Sequence, residues 1–119
     1  YKFGTYTVRA KGEDEAEILI EDAKILEEAG CFALVLEKVP AELAAKVAKE
    51  VTIPVIGIGA GGNIDGQVLV VHDMLGITQE FSPRFLRRYH NLYEEMSGAF
   101  KNYISDVKSG DFPNEKEQY

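Results

Sequence analysis

The sequence predicts an α/β protein built on a parallel sheet. Three observations lead there: stretches with apolar residues at helical spacing, short runs that are apolar without interruption, and the alternation of the two kinds along the chain. Strands covered on both faces read as continuous apolar runs, and strands that alternate with helices imply right-handed crossovers between parallel neighbours. At 119 residues the chain is sized for one domain over residues 1–119, because a domain commonly runs to about 100–200 residues. A complete α/β barrel of about 250 residues does not fit in that length.

The first helix is predicted over residues 13–29, where Ala16, Leu19, Ile20, Ala23 and Leu26 share one face. Asp14 followed by Glu17 has the form of a capping box, and Gly30 is placed for the left-handed turn that ends a helix. The run Phe32-Ala33-Leu34-Val35-Leu36 then reads as a strand buried on both faces. Pro40 suits the first turn of a second helix whose apolar stripe is Leu43, Val47 and Val51. Pro54 suits the start of a second strand, Val55-Ile56-Gly57-Ile58, and Val68-Leu69-Val70-Val71 reads as a third. The link between those two strands, residues 59–67, shows no clear helix. A last helix is predicted over residues 83–107, with Phe85, Tyr89, Leu92, Met96, Phe100, Tyr103 and Val107 on one face and Gly98 as a point of breakage. That face is expected against the sheet or a neighbouring subunit. The tail, residues 109–119, is polar apart from Phe112, Pro113 and Tyr119, and is expected to be loosely attached.

Composition narrows the functional classes. With 45% apolar and 28% charged residues the chain can bury a core and is neither disordered nor collagen-like. No apolar run approaches the roughly 18 residues that a membrane span needs. Tyr1-Lys2-Phe3-Gly4 does not form a signal peptide, so a soluble, cytoplasmic protein is expected. Cys31 is the single cysteine, which excludes an internal disulfide and fits a reducing compartment. Thirteen basic against 20 acidic residues leave a net charge of −7, which disfavours nucleic acid and anionic membranes as partners. The chain opens on Tyr1 rather than methionine, so processing or truncation is expected to have removed what came before.

In parallel α/β folds the chemistry gathers at the carboxyl ends of the strands. That rule selects three places. Glu37 follows the first strand, and flanking by Leu36 and Val39 would desolvate its carboxylate, raise its proton affinity and make it a general base. Capping the next helix, or pairing with a basic residue, are its structural alternatives. Gly57-Ile58-Gly59-Ala60-Gly61-Gly62 satisfies G-x-G-x-x-G after a strand. Asn63-Ile64-Asp65-Gly66 continues the turn instead of opening a helix, which argues against a dinucleotide site. These glycines are expected to allow close backbone approach or positive φ, with Asp65-Gly66 as part of the turn. His72 and Asp73 follow the third strand; as one adjacent pair they offer a metal too few ligands, and Asp73 as a helix cap beside a packed His72 is the alternative. Cys31 has no partner pattern and reads as a buried thiol, and the acidic residues between Glu13 and Glu28 as a solvated face.

Four segments in register carry a resemblance over nearly the whole chain. Leu34-Val35-Leu36-Glu37-Lys38-Val39-Pro40, Ile53-Pro54-Val55-Ile56-Gly57-Ile58-Gly59-Ala60-Gly61, Asp65-Gly66-Gln67-Val68-Leu69-Val70 and His72-Asp73-Met74-Leu75-Gly76 strongly resemble the ketopantoate hydroxymethyltransferase family. The likeness extends back to Glu28-Ala29-Gly30 and forward to Gly110-Asp111-Phe112-Pro113. It implies that this chain is the C-terminal part, about three strands plus helices, of a (β/α)8 barrel. It further implies a homo-oligomer, a decamer in the family, that binds Mg²⁺ and transfers a hydroxymethyl group from 5,10-methylenetetrahydrofolate to 3-methyl-2-oxobutanoate on the route to pantothenate. The family's proposed base falls on Glu37. Removing the C3 proton of a 2-oxo acid creates an enolate, which a metal held by the oxo and carboxylate oxygens would stabilise.

The family's metal-binding acids, its substrate-contacting lysine and a further histidine precede Tyr1 on this reading. The chain alone is therefore expected to hold no metal and to be inactive. Smaller departures are Arg9-Ala10, where the family commonly has Gln-Gly, and Gly62-Asn63-Ile64, where it varies. The glycine turn and His72-Asp73 would line or support the pocket. Two alternatives stand beside this reading: a related metal-dependent barrel of the phosphoenolpyruvate mutase and isocitrate lyase group acting on another 2-oxo acid, and a non-catalytic half-barrel whose strand edges need another chain.

Overall fold

Residues 12–119 are described in a computed structural model, where the chain divides into two units, the described residues up to Leu69 and Val70–Tyr119. The expectations placed on Tyr1 to Gly4 and on Arg9-Ala10 lie outside the described residues.

The first unit begins with helix α1, Glu13–Glu28. Its inner face is built by Ala16, Leu19, Ile20 and Ala23, as the spacing predicts, whereas Leu26 is exposed. The expected capping box is not formed. Gly12 is the N-cap, it offers no side chain, and its carbonyl accepts from Ala16 N–H at 3.0 Å. Asp14 falls inside the first turn, where its charge complements the helix dipole. Gly30 takes φ +90° and ends the helical path as expected.

Strand β1 is Leu34–Glu37, β2 is Val55–Ile58 and β3 is Gly66–Gln67, all parallel in the order β1-β2-β3. Glu37 stands opposite Ile58, and Ile56 opposite Gly66. Between β1 and β2 runs helix α2, Ala41–Glu50, with Pro40 as its N-cap rather than its first turn. The Pro40 carbonyl accepts from Ala44 N–H at 2.9 Å, which starts the helix.

One face of the sheet carries the core. Leu34, Leu36, Val55 and Ala60 pack with Ala23 of α1, Val39, and Leu43, Ala44, Val47 and Val51 of and beside α2. Val47 and Val55 are fully buried, and burying such a side chain is worth about 1.5–3 kcal/mol. The strands were expected to be covered on both faces, and in this chain they are not. Burial alternates along β1, with Leu34 and Leu36 at 7% exposure and Val35 at 65%, so the continuous apolar run has one covered face and one open face. Phe32 lies outside β1 and is exposed.

Polar links join the helices to the loops. Glu27 Oε1 accepts from Thr52 N–H and Thr52 Oγ1, each at 2.6 Å, and from Ile53 N–H at 3.2 Å. The Thr52 hydroxyl and then the Thr52 N–H hold the Glu27 carboxyl below its ordinary range, partly opposed by desolvation. Lys24 Nζ meets Glu50 Oε2 at 2.7 Å between α1 and α2; that hydrogen bond raises the lysine and lowers the glutamate.

The second unit contains helix α3, Val71–Met74, and helix α4, Leu92–Ser109. The third strand predicted at Val68–Val71 is thus displaced: pairing uses Gly66 and Gln67, Val68 N–H adds one bond to the Gly57 carbonyl at 3.0 Å, and Val70 already caps α3. The last helix begins at Leu92, not at Pro83, and runs through Gly98 without a break. Residues 83–91 are held differently: Arg88 Nη2 donates to the carbonyls of Thr78, Gln79 and Phe81 at 3.1, 2.8 and 3.2 Å. Tyr89, Leu92 and Tyr93 N–H groups donate to the carbonyls of Met74, Leu75 and Gly76. The tail is attached: Phe112 meets Tyr103 edge-on with ring centroids 5.6 Å apart, and Asp111 and Phe112 N–H groups donate to the Asp106 carbonyl. No residue of α4 is buried; Met96, Phe100, Tyr103, Ile104 and Val107 are all exposed.

Candidate active site at the carboxyl ends of the strands

Strand alternation places Glu37. Leu34 and Leu36 face the helices, so Val35 and Glu37 face the open side of the sheet. Glu37 ends β1 and is exposed. Among the described residues its carboxylate has no hydrogen-bond or ion-pair partner, and a carboxylate offers two acceptor oxygens. The expected desolvation by Leu36 and Val39 does not occur, because both side chains are buried in the core on the opposite face. The capping alternative does not hold: α2 has no side-chain cap.

The chain leaves β1 through Lys38, which has φ +54° and donates its N–H to the Ile58 carbonyl at 2.9 Å. Sequence reasoning passed over this residue. Lysine carries no turn signal, and only the need to return Val39 to the core one residue later could have indicated it.

The glycine run follows β2 beside this strand end. A Cβ on Gly57 would strike Ile64 Cδ1 and lie 3.2 Å from Ala60 Cβ, so a larger residue there would displace the end of the Ile64 side chain that crosses the strand. Gly61, at φ +82°, brings its backbone against Ala41 at the start of α2, where a side chain would collide with Ala41 Cβ. Gly59 also has positive φ. Gln67 Nε2 donates to the Gly61 carbonyl at 2.8 Å and ties the loop to β3. Close approach or positive φ thus accounts for Gly57, Gly59 and Gly61, whereas Gly62 has open space around its Cβ and no positive φ, and no helix opens from the run to hold a phosphate. Asp65 does more than turn: its Oδ2 accepts from Val55 N–H at 2.8 Å, and its own N–H donates to the Val55 carbonyl at 3.1 Å. A depression lined in part by Ala48, Lys49, Asn63 and Asp65 does not include Glu37.

His72 and Asp73 sit on α3 in the second unit, not at a strand end. His72 is exposed rather than packed, and Asp73, expected to cap the segment after it, lies inside α3 with no helix opening directly beyond it; its carbonyl accepts from Gly76 N–H at 3.1 Å. The His72 carbonyl accepts from Ile77 N–H at 2.8 Å and Thr78 N–H at 3.2 Å, which turns the chain after α3. Cys31 is partly exposed, not fully buried. Among the described residues no group of three or more His, Cys, Asp or Glu side chains could hold a metal ion. No helix among them is long and apolar enough to cross a membrane.

Known proteins match the sequence of this chain along its length. The chain is 77% identical over 118 residues to a 3-methyl-2-oxobutanoate hydroxymethyltransferase of Parabacteroides distasonis, covering 99% of this chain and 43% of that protein. It is 71% identical over 119 residues to the protein of that name from Flavobacterium johnsoniae, covering 100% of this chain and 44% of the relative. The corresponding protein of Porphyromonas gingivalis is 73% identical over 118 residues, with 99% of this chain and 43% of the relative covered. The chain thus spans less than half the length of the curated relatives it matches. The model of one family, described as ketopantoate hydroxymethyltransferase, matches residues 1–115. On this match and these identities the chain belongs to the ketopantoate hydroxymethyltransferase family.

Proposed function

We propose that the chain is the C-terminal segment of a (β/α)8 barrel enzyme that transfers a hydroxymethyl group from 5,10-methylenetetrahydrofolate to 3-methyl-2-oxobutanoate in pantothenate biosynthesis, with Glu37 as the general base. The observation that carries this reading is the place of Glu37: the last residue of a parallel strand, exposed on the open face, with no partner for its carboxylate among the described residues. Closing the remaining strands of a barrel over that face would put Glu37 at the carboxyl-end mouth, where barrel enzymes bind substrate. It would also cover Val35, Ile56 and Ile58.

In this reading Glu37 takes the C3 proton of the bound 2-oxo acid. The C–H electron pair moves toward the oxo oxygen as an enolate. As the oxo group re-forms, C3 bonds to the methylene carbon, and one of its two C–N bonds to the folate breaks with the pair going to nitrogen. Water displaces the second nitrogen, which supplies the hydroxyl and releases tetrahydrofolate. Glu37 holds the proton meanwhile. Lifting so weak an acid needs the carboxylate within hydrogen-bond reach of C3–H, which a strand end supplies more rigidly than a loop. In this reading the Mg²⁺ ligands are supplied by the part of the enzyme that precedes this segment. By itself the chain is expected to be inactive. Assembly as a homo-oligomer in the cytoplasm belongs to the same reading, and the exposed apolar residues of α4 support association.

The test is a one-carbon transfer assay in the complete enzyme carrying this segment. Glu37→Gln is expected to lose turnover by about 100-fold or more, the scale of general-base catalysis, while still binding the 2-oxo acid. Turnover at the parental rate would remove Glu37 from the role.

A further inference from the structure

We infer that Lys38 is a positioning residue for Glu37, and that its left-handed backbone is what does the positioning. The inference rests on Glu37 being the base. Among the described non-glycine residues Lys38 alone has positive φ, +54°. A residue with a Cβ pays a steric penalty there, and such conformations persist only where the surroundings over-determine them, characteristically near functional groups.

The surroundings of Lys38 do so from both sides. Upstream, its N–H donates to the Ile58 carbonyl at 2.9 Å, which extends the β1–β2 ladder one residue past Glu37. Downstream, Val39 is buried at 6% exposure and Pro40, with φ −53°, starts α2. Alternation along an extended strand would send Leu36 and Lys38 to the helix side and Glu37 and Val39 to the open side. Val39 is instead in the core with Leu36. The left-handed residue is what breaks the alternation. It lets Glu37 remain in strand geometry on the open face while the very next apolar side chain returns to the covered one. An extended Lys38 would drag Val39 out beside Glu37 or twist the strand end, and either moves the carboxylate.

The test compares Lys38→Gly, Lys38→Asn and Lys38→Val in the complete enzyme carrying this segment, with Glu37→Gln alongside. Glycine and asparagine accept positive φ, whereas a β-branched residue resists it. The readout is deuterium exchange at C3 of the 2-oxo acid, as saturated rate and as half-saturating concentration. Lys38→Gly and Lys38→Asn are expected to keep the saturated rate within about threefold. Lys38→Val should lose at least about tenfold, with half-saturation nearly unchanged, because a misplacement of about 1 Å can cost about 100-fold. A parental rate in Lys38→Val overturns the inference, as does a loss of about tenfold in Lys38→Gly or Lys38→Asn, which would move the role to the side chain. If circular dichroism shows Lys38→Val unfolded, the glycine and asparagine variants decide by the same criterion. Parental exchange in Glu37→Gln would instead overturn the base assignment on which the inference rests.

Discussion

The two units of the chain are built on different principles. In the first, every buried apolar side chain of the described residues is found: α1 and α2 cover one face of the sheet, and Val47 and Val55 are fully enclosed. In the second, α4 runs 18 residues without burying one of them, and order comes from backbone carbonyls satisfied by Arg88 and by the N–H groups of Tyr89, Leu92 and Tyr93. The first unit is held by hydrophobic burial, which scales with area. In the second, hydrogen bonds that contribute about 0.5–1.5 kcal/mol each act beside the Tyr103–Phe112 contact and apolar side chains that are only partly buried, such as Met74, Leu75 and Leu86. A carboxylate that must stay within hydrogen-bond reach of a substrate atom is better mounted on the first kind.

The largest expected contrast comes from placing a charge in each unit. Val47→Asp puts a carboxylate where no solvent reaches and should unfold the chain, because an unpaired buried charge costs several kcal/mol. Phe100→Asp, on an exposed position of α4, should shift urea unfolding of the same chain by no more than about 0.5 kcal/mol. Equal losses would erase the distinction between the units. Smaller but in the same direction, Leu43→Ala is expected to cost about 2–5 kcal/mol by the same measurement, and a cost under about 1 kcal/mol would show that the core is not where stability resides.

One substitution should change sign between the units. Gly61→Ala meets Ala41 and a positive φ, so it should destabilise by at least about 1–2 kcal/mol. Gly98→Ala lies inside α4 with open space around its Cβ, and should stabilise by about 0.5–1 kcal/mol. Loss of stability in Gly98→Ala would mean that α4 is packed at that position.

The smallest effect is acid sensitivity. Glu27 has its folded pKa lowered by Thr52, so its contribution is present above the unfolded carboxyl value, about 4.3, and is lost as pH falls through the folded one. Glu50, lowered by Lys24, acts in the same direction. Glu27→Gln should therefore flatten the decline in unfolding midpoint below about pH 4, and an unchanged slope would remove the Thr52 contact from the account.

The same division explains what the amino-acid sequence revealed. The elements α1, β1, α2 and β2 were legible because burial imposes periodicity and because Gly30 and Pro54 mark their limits. The third strand was misplaced because Val68, Val70 and Val71 are β-branched wherever they lie; only the pairing of Gly66 with Ile56 and the cap of α3 at Val70 locate the change. The start of α4 was misread because Phe85 and Tyr89 continue its apolar spacing, while Arg88 uses the carbonyls of residues 78–81 to fold that stretch differently. At the site, strand-end logic located Glu37 correctly in the fold. It misjudged the environment, since Leu36 and Val39 turn away and the open face is whatever further chain covers. Lys38 escaped notice because backbone strain leaves no mark on residue type.

The central claim is that a carboxylate fixed at the end of β1 removes the C3 proton. Its most direct test follows deuterium incorporation at C3 of 3-methyl-2-oxobutanoate by the complete enzyme without folate, so that only the proton step is read. Glu37→Gln should slow that exchange by at least about 100-fold while the 2-oxo acid still binds, and exchange within about twofold of the parent would contradict the account.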